Sequence, residues 1–246
     1  MYSDFALLYD ELMEDVDYAG WADYYASLLE DAGIPPGSLV TECACGTGSL
    51  TLALSRRYEM CGVDISQEML SIAALKLRSG GKRVPLIRQD MRKLRLHRQQ
   101  DAILCTCDGV NYLTDEAALS GFFASARAAL RPGGALCFDV SSLYKLSEVL
   151  GDHTLTNTQG RVHYIWENHW DPVRRLLDMR LQLYARERDN CFWHTEEIQR
   201  QRAWTEDELA GMLEACGFER PLIYGDRTRR QPGEGEKRLH LLARKP

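Results

Sequence analysis

The stretch Val40-Thr-Glu-Cys-Ala-Cys-Gly-Thr-Gly-Ser-Leu50 decides the fold. A short apolar run, Ser38-Leu39-Val40, leads into acidic Glu42 and then into a tight Gly46-Thr47-Gly48 turn. A helical pattern, Leu50-Thr-Leu-Ala-Leu54, follows at once. Strand, glycine turn and helix make the opening unit of a nucleotide-binding α/β sheet, with glycines where backbone must approach a ligand closely. The dinucleotide fingerprint places a third glycine at position 51, where this chain has Thr51. A carboxylate at Glu42, beside the turn, repels a pyrophosphate and attracts an ammonium. The ligand that fits carries adenosine at one end and an amino acid at the other.

S-adenosylmethionine has that form, and the pieces downstream fall where it needs them. Tyr58-Glu-Met-Cys-Gly-Val63 reads as a second strand ending in Asp64. That is 18 residues past Gly46, about the spacing at which an acidic residue meets ribose hydroxyls. Two hydroxyls can donate to one carboxylate, each bond worth roughly 1.5–3 kcal/mol. A third strand, Val84-Pro-Leu-Ile-Arg88, delivers Asp90 to accept from an adenine amino group and Met91 to pack on the ring. A fourth, Ala102–Cys107, ends at Asp108. Leu130-Arg-Pro-Gly-Gly134 stops a helix and leads into a fifth strand that reaches Asp139.

With these motifs the chain resembles the class I S-adenosylmethionine-dependent methyltransferases. The matching pieces are Glu42–Gly48, Gly62–Leu70, Gln89-Asp-Met91, Asp108–Leu113 and Leu130–Gly134. The opening Phe5-Ala-Leu-Leu-Tyr-Asp10, with Tyr18 and Trp21, further resembles a group of stand-alone bacterial methyltransferases, nearly end to end. The resemblance implies a Rossmann-like α/β fold: a mostly parallel seven-stranded sheet flanked by helices, with an antiparallel β insert after the fifth strand. It also implies a cofactor site of Tyr9, Glu42, Ala44, Gly46, Thr47, Gly48, Asp64, Ile65, Met69, Asp90, Met91, Cys107 and Asp108. In relatives an aromatic-bearing N-terminal segment closes over the methionine end of the cofactor, the role implied for Tyr9. Related sequences often carry histidine where this chain has Gln199, so no base is carried over to that position. The resemblance supplies no acceptor.

Bulk properties narrow the partners. The 246 residues suffice for one domain with an insertion, and 45% hydrophobic with 27% charged residues is ordinary for a globular protein. A net charge of −6 argues against a duplex-binding enzyme, which needs a basic stripe. The cluster Arg227, Arg229, Arg230, Lys237 and Arg238 reads as a solvated hairpin end. No apolar run approaches the length of a membrane span. The acidic start, Asp4 to Asp17, is unlike a signal peptide, so a cytoplasmic location is expected. Of eight cysteines, six fall on or just after predicted strands, where thiols act as small buried hydrophobes. The Cys43-x-Cys45 and Cys105-x-Cys107 spacings are too short for structural zinc, and no metal is expected.

Residues 3–32 read as helical, with Pro35-Pro36-Gly37 as the break before the first strand. The expected division is 1–150 for the N-terminal helices and cofactor core, 151–204 for the insert, and 205–246 for a last helix and two strands. Ser141–Leu150 reads as a short helix. Arg161–Trp170, Leu177–Glu187 and Cys191–Trp204 alternate with period two, separated by turns at Asp171-Pro172 and Asp189-Asn190. In the middle strand Leu177, Met179, Leu181, Leu183 and Ala185 share one face, which predicts a sheet with one buried side. The third strand is polar on both faces: it is either a charged edge strand or the wall of a polar substrate cavity. Tyr164, Trp166 and Trp170 either pack the insert onto the core or wall the acceptor pocket.

A sulfonium methyl is already activated, so its transfer mainly needs an acceptor held close and aligned in a dry pocket. Asp108, Asn111 and Tyr112 follow the fourth strand and are the expected acceptor-side residues, with His194 the candidate base. The expected reaction is methyl transfer to a small-molecule acceptor, on nitrogen before oxygen. RNA or protein methylation and a non-catalytic cofactor-binding regulator are the alternatives, and either a monomer or a homodimer is compatible.

Overall fold

The computed structural model describes residues 4–187 and 191–246. Its main sheet is the mostly parallel one that the sequence predicts. Strands β1 (Leu39–Cys43), β2 (Glu59–Asp64), β3 (Leu86–Arg88), β4 (Gln100–Cys105) and β5 (Leu130–Ser141) are parallel. β11 (Arg238–Arg244) runs antiparallel to β5, and β10 (Leu222–Gly225) antiparallel to β11. The order β10-β11-β5-β4-β1-β2-β3 makes seven strands, as expected.

Both faces of this sheet are covered, which is why its strands read as near-continuous apolar runs. Ile103, Cys105, Leu136 and Phe138 face α5 (Glu116–Ala129) and α6 (Glu206–Ala215), meeting Phe122, Phe123, Leu209 and Leu213. Val40, Ala102, Leu104 and Cys137 face α2 (Tyr18–Asp31) and α3 (Ser49–Leu54). The strand cysteines Cys43, Cys105 and Cys137 are fully buried, and burial pushes each thiol pKa up. α6 opens with the expected capping box between Thr205 and Glu208. The N-terminal helical region is two helices, α1 (Asp4–Leu12) and α2, with a turn between them. No helix among the described residues is long and apolar enough to cross a membrane.

The insert is a four-stranded antiparallel sheet where three strands were expected: β6 (Thr154–Gln159), β7 (Val162–Asp171), β8 (Leu176–Arg186) and β9 (Phe192–Arg202). β6 reads Thr-Leu-Thr-Asn-Thr-Gln and is almost wholly exposed, so no apolar periodicity announces it. It exists by pairing with β7 along one side only. The turn expected at Asp189-Asn190 lies outside the described residues. On β8, Leu177, Met179, Leu183 and Ala185 are buried, as the alternation predicts. Ser141–Leu150, read as a helix, closes with a π-helical turn over Lys145–Leu150.

The arginine cluster is a correction in part. Arg227 pairs with Asp17 and Arg229 with Asp31, which neutralises the surface end. Arg238 is not on the surface at all: its side chain is 15% exposed and lies between Asp108 and Asp139.

The glycine turn shows why the fold needs Gly48. It starts α3 with φ 75°, and a Cβ there would stand 3.0 Å from the Cβ of Ala73 on α4 (Gln67–Ser79). Left-handed backbone costs an L-residue roughly 1–2 kcal/mol before any crowding. Gly48→Ala is therefore expected to lose at least about that much stability in urea unfolding. A midpoint unchanged from the parent would contradict this reading.

Candidate active site

The order reverses between β1 and β4, and ligands of open α/β sheets bind in the crevice that such a reversal leaves at the strands' carboxyl ends. A cavity of about 470 Å³ opens there. β1 delivers Glu42 and then Ala44, Gly46 and Thr47; β2 delivers Asp64 and Ile65. Asp90 and Met91 follow β3, and Thr106, Cys107, Gly109 and Tyr112 follow β4. Ala44 and Cys107 both hold left-handed backbone (φ 52° and 55°), as does Asp108 (φ 64°). Such strain at non-glycine residues persists only where the surroundings hold it.

Glu42 is the buried charge of this cavity. Thr51 Oγ1 donates to one carboxylate oxygen and Thr106 Oγ1 to the other at 3.1 Å. Thr51 is the residue that replaces the third glycine, so the departure from the dinucleotide pattern has a use. Burial pushes the Glu42 pKa up to about 7, against the pull of the two hydroxyls. Asp64 accepts from the backbone N–H of Gly46 at 2.8 Å and of Ser66 at 2.9 Å. Burial raises its pKa too, with those amides pulling it back. A carboxylate has about four acceptor positions, so ribose hydroxyls still find room. Asp90 is gripped by Arg92 at 2.6 Å and caps the short turn Met91–Lys93. The lining fits a ligand with an ammonium, a ribose and an adenine, offering the carboxylates of Glu42, Asp64 and Asp90 and apolar Ile65 and Met91.

Other expected cofactor residues stand off this wall. Gly48 serves the turn and α3 rather than the cavity. Met69 is also displaced from it, and its backbone N–H donates to the Ser66 hydroxyl that caps α4. Asp108 borders a second cavity instead of the first. Tyr18, Ser49, Thr106 and Asp115 join the lining although no motif singled them out as cofactor contacts.

The second cavity, about 250 Å³, abuts the first, and Tyr9, Cys107 and Tyr112 line both. α1 supplies Phe5, Tyr9 and Leu12; the insert supplies Tyr164, Trp166, Met179, Leu181, Gln199 and Gln201. Asp108, Lys145 and Arg238 make its charged end. Ser141 Oγ donates to Asp108 at 2.8 Å, and Arg238 donates to both Asp108 oxygens at 2.5 and 3.2 Å. Burial alone would raise the Asp108 pKa, but Arg238 and Lys145 outweigh it and hold the carboxyl below the usual carboxylate range. The Tyr112 hydroxyl donates to Gln199 Oε1 at 2.7 Å, tying the post-β4 turn to the insert. Burial raises the Tyr9 and Tyr112 pKa values, so both hydroxyls stay protonated.

Two expected acceptor-side residues are corrected. Asn111 is fully buried and borders neither cavity. Its amide donates to the carbonyls of Ser141 (3.1 Å) and Arg202 (2.9 Å) and accepts from Ser141 N (2.9 Å). It clamps the ends of β5 and β9. His194 is exposed and stacks on Tyr184, with ring centroids 4.7 Å apart. Strand alternation puts it opposite the face that carries Gln199 and Gln201. β9 carries both characters, one on each face: His194, Glu196 and Arg200 lie on an exposed outer edge, while Gln199 and Gln201 line the second cavity. Tyr164 and Trp166 likewise both pack the insert and line the cavity.

Three comparisons bear on this geometry. Residues 40–134 match the family described as Methyltransferase domain. The chain is 32% identical to YqeM of Bacillus subtilis (strain 168), a protein named as a methyltransferase with no acceptor stated, covering 100% of this chain and 97% of that one. An S-adenosylmethionine-dependent methyltransferase structure from Clostridium acetobutylicum ATCC 824 is 31% identical, with a TM-score of 0.89 over 98% of this chain and 97% of its own. The sugar N-methyltransferase KedS8 from Streptoalloteichus sp ATCC 53650 shares the fold at 20% identity and a TM-score of 0.81, covering 100% and 94%.

Glu42 is expected to make cofactor binding pH-linked. Only its ionised form attracts an ammonium, so affinity for S-adenosylmethionine is expected to rise between pH 6 and 8, by about tenfold for one such proton. Stability of the ligand-free fold runs the other way. A carboxyl raised to about 7 contributes fully below the ordinary carboxylate pKa and loses that contribution as pH rises through 7. Glu42→Gln flattens both trends; calorimetry and thermal unfolding across that range check them. Asn111→Ala is expected to cost roughly 1–3 kcal/mol of stability through its orphaned partners, while cofactor affinity stays within about twofold.

Proposed function

Since this chain belongs to the class I S-adenosylmethionine-dependent methyltransferases, we propose that it methylates a nitrogen atom of a small-molecule acceptor held in the second cavity. The observation that carries this reading is the shared wall of Tyr9, Cys107 and Tyr112 between a cavity suited to the cofactor and one closed by α1 and the insert. Bound S-adenosylmethionine supplies a methyl whose bond to sulfur breaks, the electron pair staying on sulfur, as the acceptor's lone pair forms the new bond. The chain's own part is to place that lone pair in line and keep water out.

Nitrogen is favoured over oxygen by the charges around the second cavity. A hydroxyl acceptor has to give up its proton to a base as it attacks. Asp108 is a poor base, held ionised by Arg238 and Lys145. An amine that has shed its ammonium proton to solvent has a free lone pair and needs only orientation, which Asp108 can give by accepting an N–H. The proton left on the methylated nitrogen likewise goes to solvent. A small molecule is favoured over a macromolecule by the cavity's size and by the pairing of the Arg227 and Arg229 guanidiniums with Asp17 and Asp31.

The test is transfer of labelled methyl from S-adenosylmethionine to matched panels of small amines and alcohols, with bulk RNA and a protein lysate alongside. Labelled amine products are expected, and His194→Ala is expected to keep full turnover. Label appearing only in alcohols, or only in macromolecules, would overturn the reading.

A further inference from the structure

The one fully buried histidine among the described residues borders neither cavity. It is His240, on β11. It stands directly opposite Asp139 on β5, so the two side chains share a face of the sheet. Trp21, Tyr24 and Tyr25 of α2 box its ring, with centroids 5.6, 4.7 and 5.7 Å away. Held there, Nδ1 lies 3.1 Å from the Tyr25 hydroxyl oxygen and Nε2 lies 3.3 Å from Asp226 Oδ1.

The number of hydrogens available decides what this ring does. A carboxylate has about four acceptor positions, and at Asp139 each has its donor. Oδ1 takes the Cys107 N–H and the Tyr25 hydroxyl; Oδ2 takes the Asp108 N–H and Arg238. Tyr25 is fully buried, which raises its pKa and keeps the hydroxyl protonated. That hydroxyl owns one hydrogen and has two neighbours to give it to. A bare lone pair on Nδ1 would draw the hydrogen away. The Tyr25 oxygen would then face a buried carboxylate at 3.2 Å with lone pairs only, and a buried polar contact has no water to relieve it. With a hydrogen on Nδ1 the ring donates to the Tyr25 oxygen, and the hydroxyl hydrogen stays on Asp139. Asp226 makes the weaker demand at the other nitrogen, because its side chain is 46% exposed and can turn to water. The Nδ1 hydrogen is therefore the one the ring keeps, neutral or cationic.

Resting on the reading above that the methyl crosses at the shared wall, we propose that His240 is a positioning residue for the transfer. Its Nδ1–H keeps the Tyr25 hydroxyl turned onto Asp139. Asp139 in turn holds the amides of Cys107 and Asp108, the two left-handed residues that follow β4 between the cavities. His240 touches neither cofactor site nor acceptor cavity and acts through Tyr25 alone.

The experiment joins magnetic resonance on protein saturated with S-adenosylhomocysteine to turnover in variants. In the unsubstituted protein, nitrogen-15 spectra of the imidazole rings are expected to show a hydrogen on His240 Nδ1; a bare Nδ1 overturns the proposal. A Gln amide overlays the Nε2 side of an imidazole and an Asn amide the Nδ1 side. His240→Gln is therefore expected to shift the Cys107 and Asp108 amide resonances. It is also expected to lower kcat on the labelled amines about tenfold, as loss of one hydrogen bond to a buried charge implies. His240→Asn is expected to return most of that loss. Affinity for S-adenosylhomocysteine within about twofold of the parent shows that each variant folds. In a Tyr25→Phe background, His240→Gln is expected to cost nothing further, because the two residues act as one unit. Additive losses, or a Gln variant that outperforms the Asn variant, overturn the proposal. If no amine is labelled, the nitrogen-acceptor reading falls, and the ring and amide spectra still decide whether His240 holds the turn.

Discussion

The buried carboxylate of Asp139 is the constraint on which the site depends. It is fully buried on β5 and accepts from the backbone N–H of Cys107 at 2.7 Å and of Asp108 at 3.1 Å. Tyr25 donates to it at 3.2 Å, and the Arg238 guanidinium is paired with it. Cys107 and Asp108 are the two successive left-handed residues after β4. Without an acceptor for their amides that turn would relax, and with it the wall between the cavities. Burial pushes the Asp139 pKa up, and Arg238 works against that rise. Arg238 then reaches past Asp139 to Asp108, so one cation from the last strand fixes both the turn and its side chain. A buried charge network of this kind is weak evidence for stability, but it specifies one geometry.

α1 depends on the same region from the other side. Asp10 accepts from Thr47 Oγ1 at 2.6 Å and from Lys76 Nζ at 2.7 Å, and Lys76 also donates to Ser49 Oγ at 2.6 Å. One residue further on, Glu11 pairs with Arg161 of the insert at 2.8 Å. The helix thereby bridges the glycine turn and the insert, which sets Tyr9 between the two cavities. Beneath these polar contacts Leu8 is buried against Val162, Leu183 and Ala185 of the insert, with Phe5 and Leu12 packed around it.

The lining of the first cavity was legible where its residues sit on or within a few positions of a strand's carboxyl end. Glu42, Gly46, Asp64, Asp90 and Met91 follow from strand, turn and spacing, and all five line the first cavity. Distance in sequence hides the second cavity. Arg238 is 130 residues from Asp108 and lies in a run of basic residues, so charge patterning alone reads it as surface. Asn111 sits in the expected loop, yet local position cannot tell an amide that meets ligand from one that clamps two strand ends. His194 is a candidate base on its chemistry alone, and which face it takes depends on the register of β9 against β8. Thr51 was visible as a departure from a pattern. Its bond to Glu42 needed the fold.

The measurement that tests the account most directly places the reactive methyl. S-adenosylmethionine labelled with carbon-13 at the sulfonium methyl, bound to the protein, would be examined by isotope-edited NOE spectroscopy. The account predicts contacts from the methyl to Tyr9, Cys107 and Tyr112, the residues that line both cavities. Contacts confined to Ile65, Asp90 and Met91, at the far end of the first cavity, would contradict it.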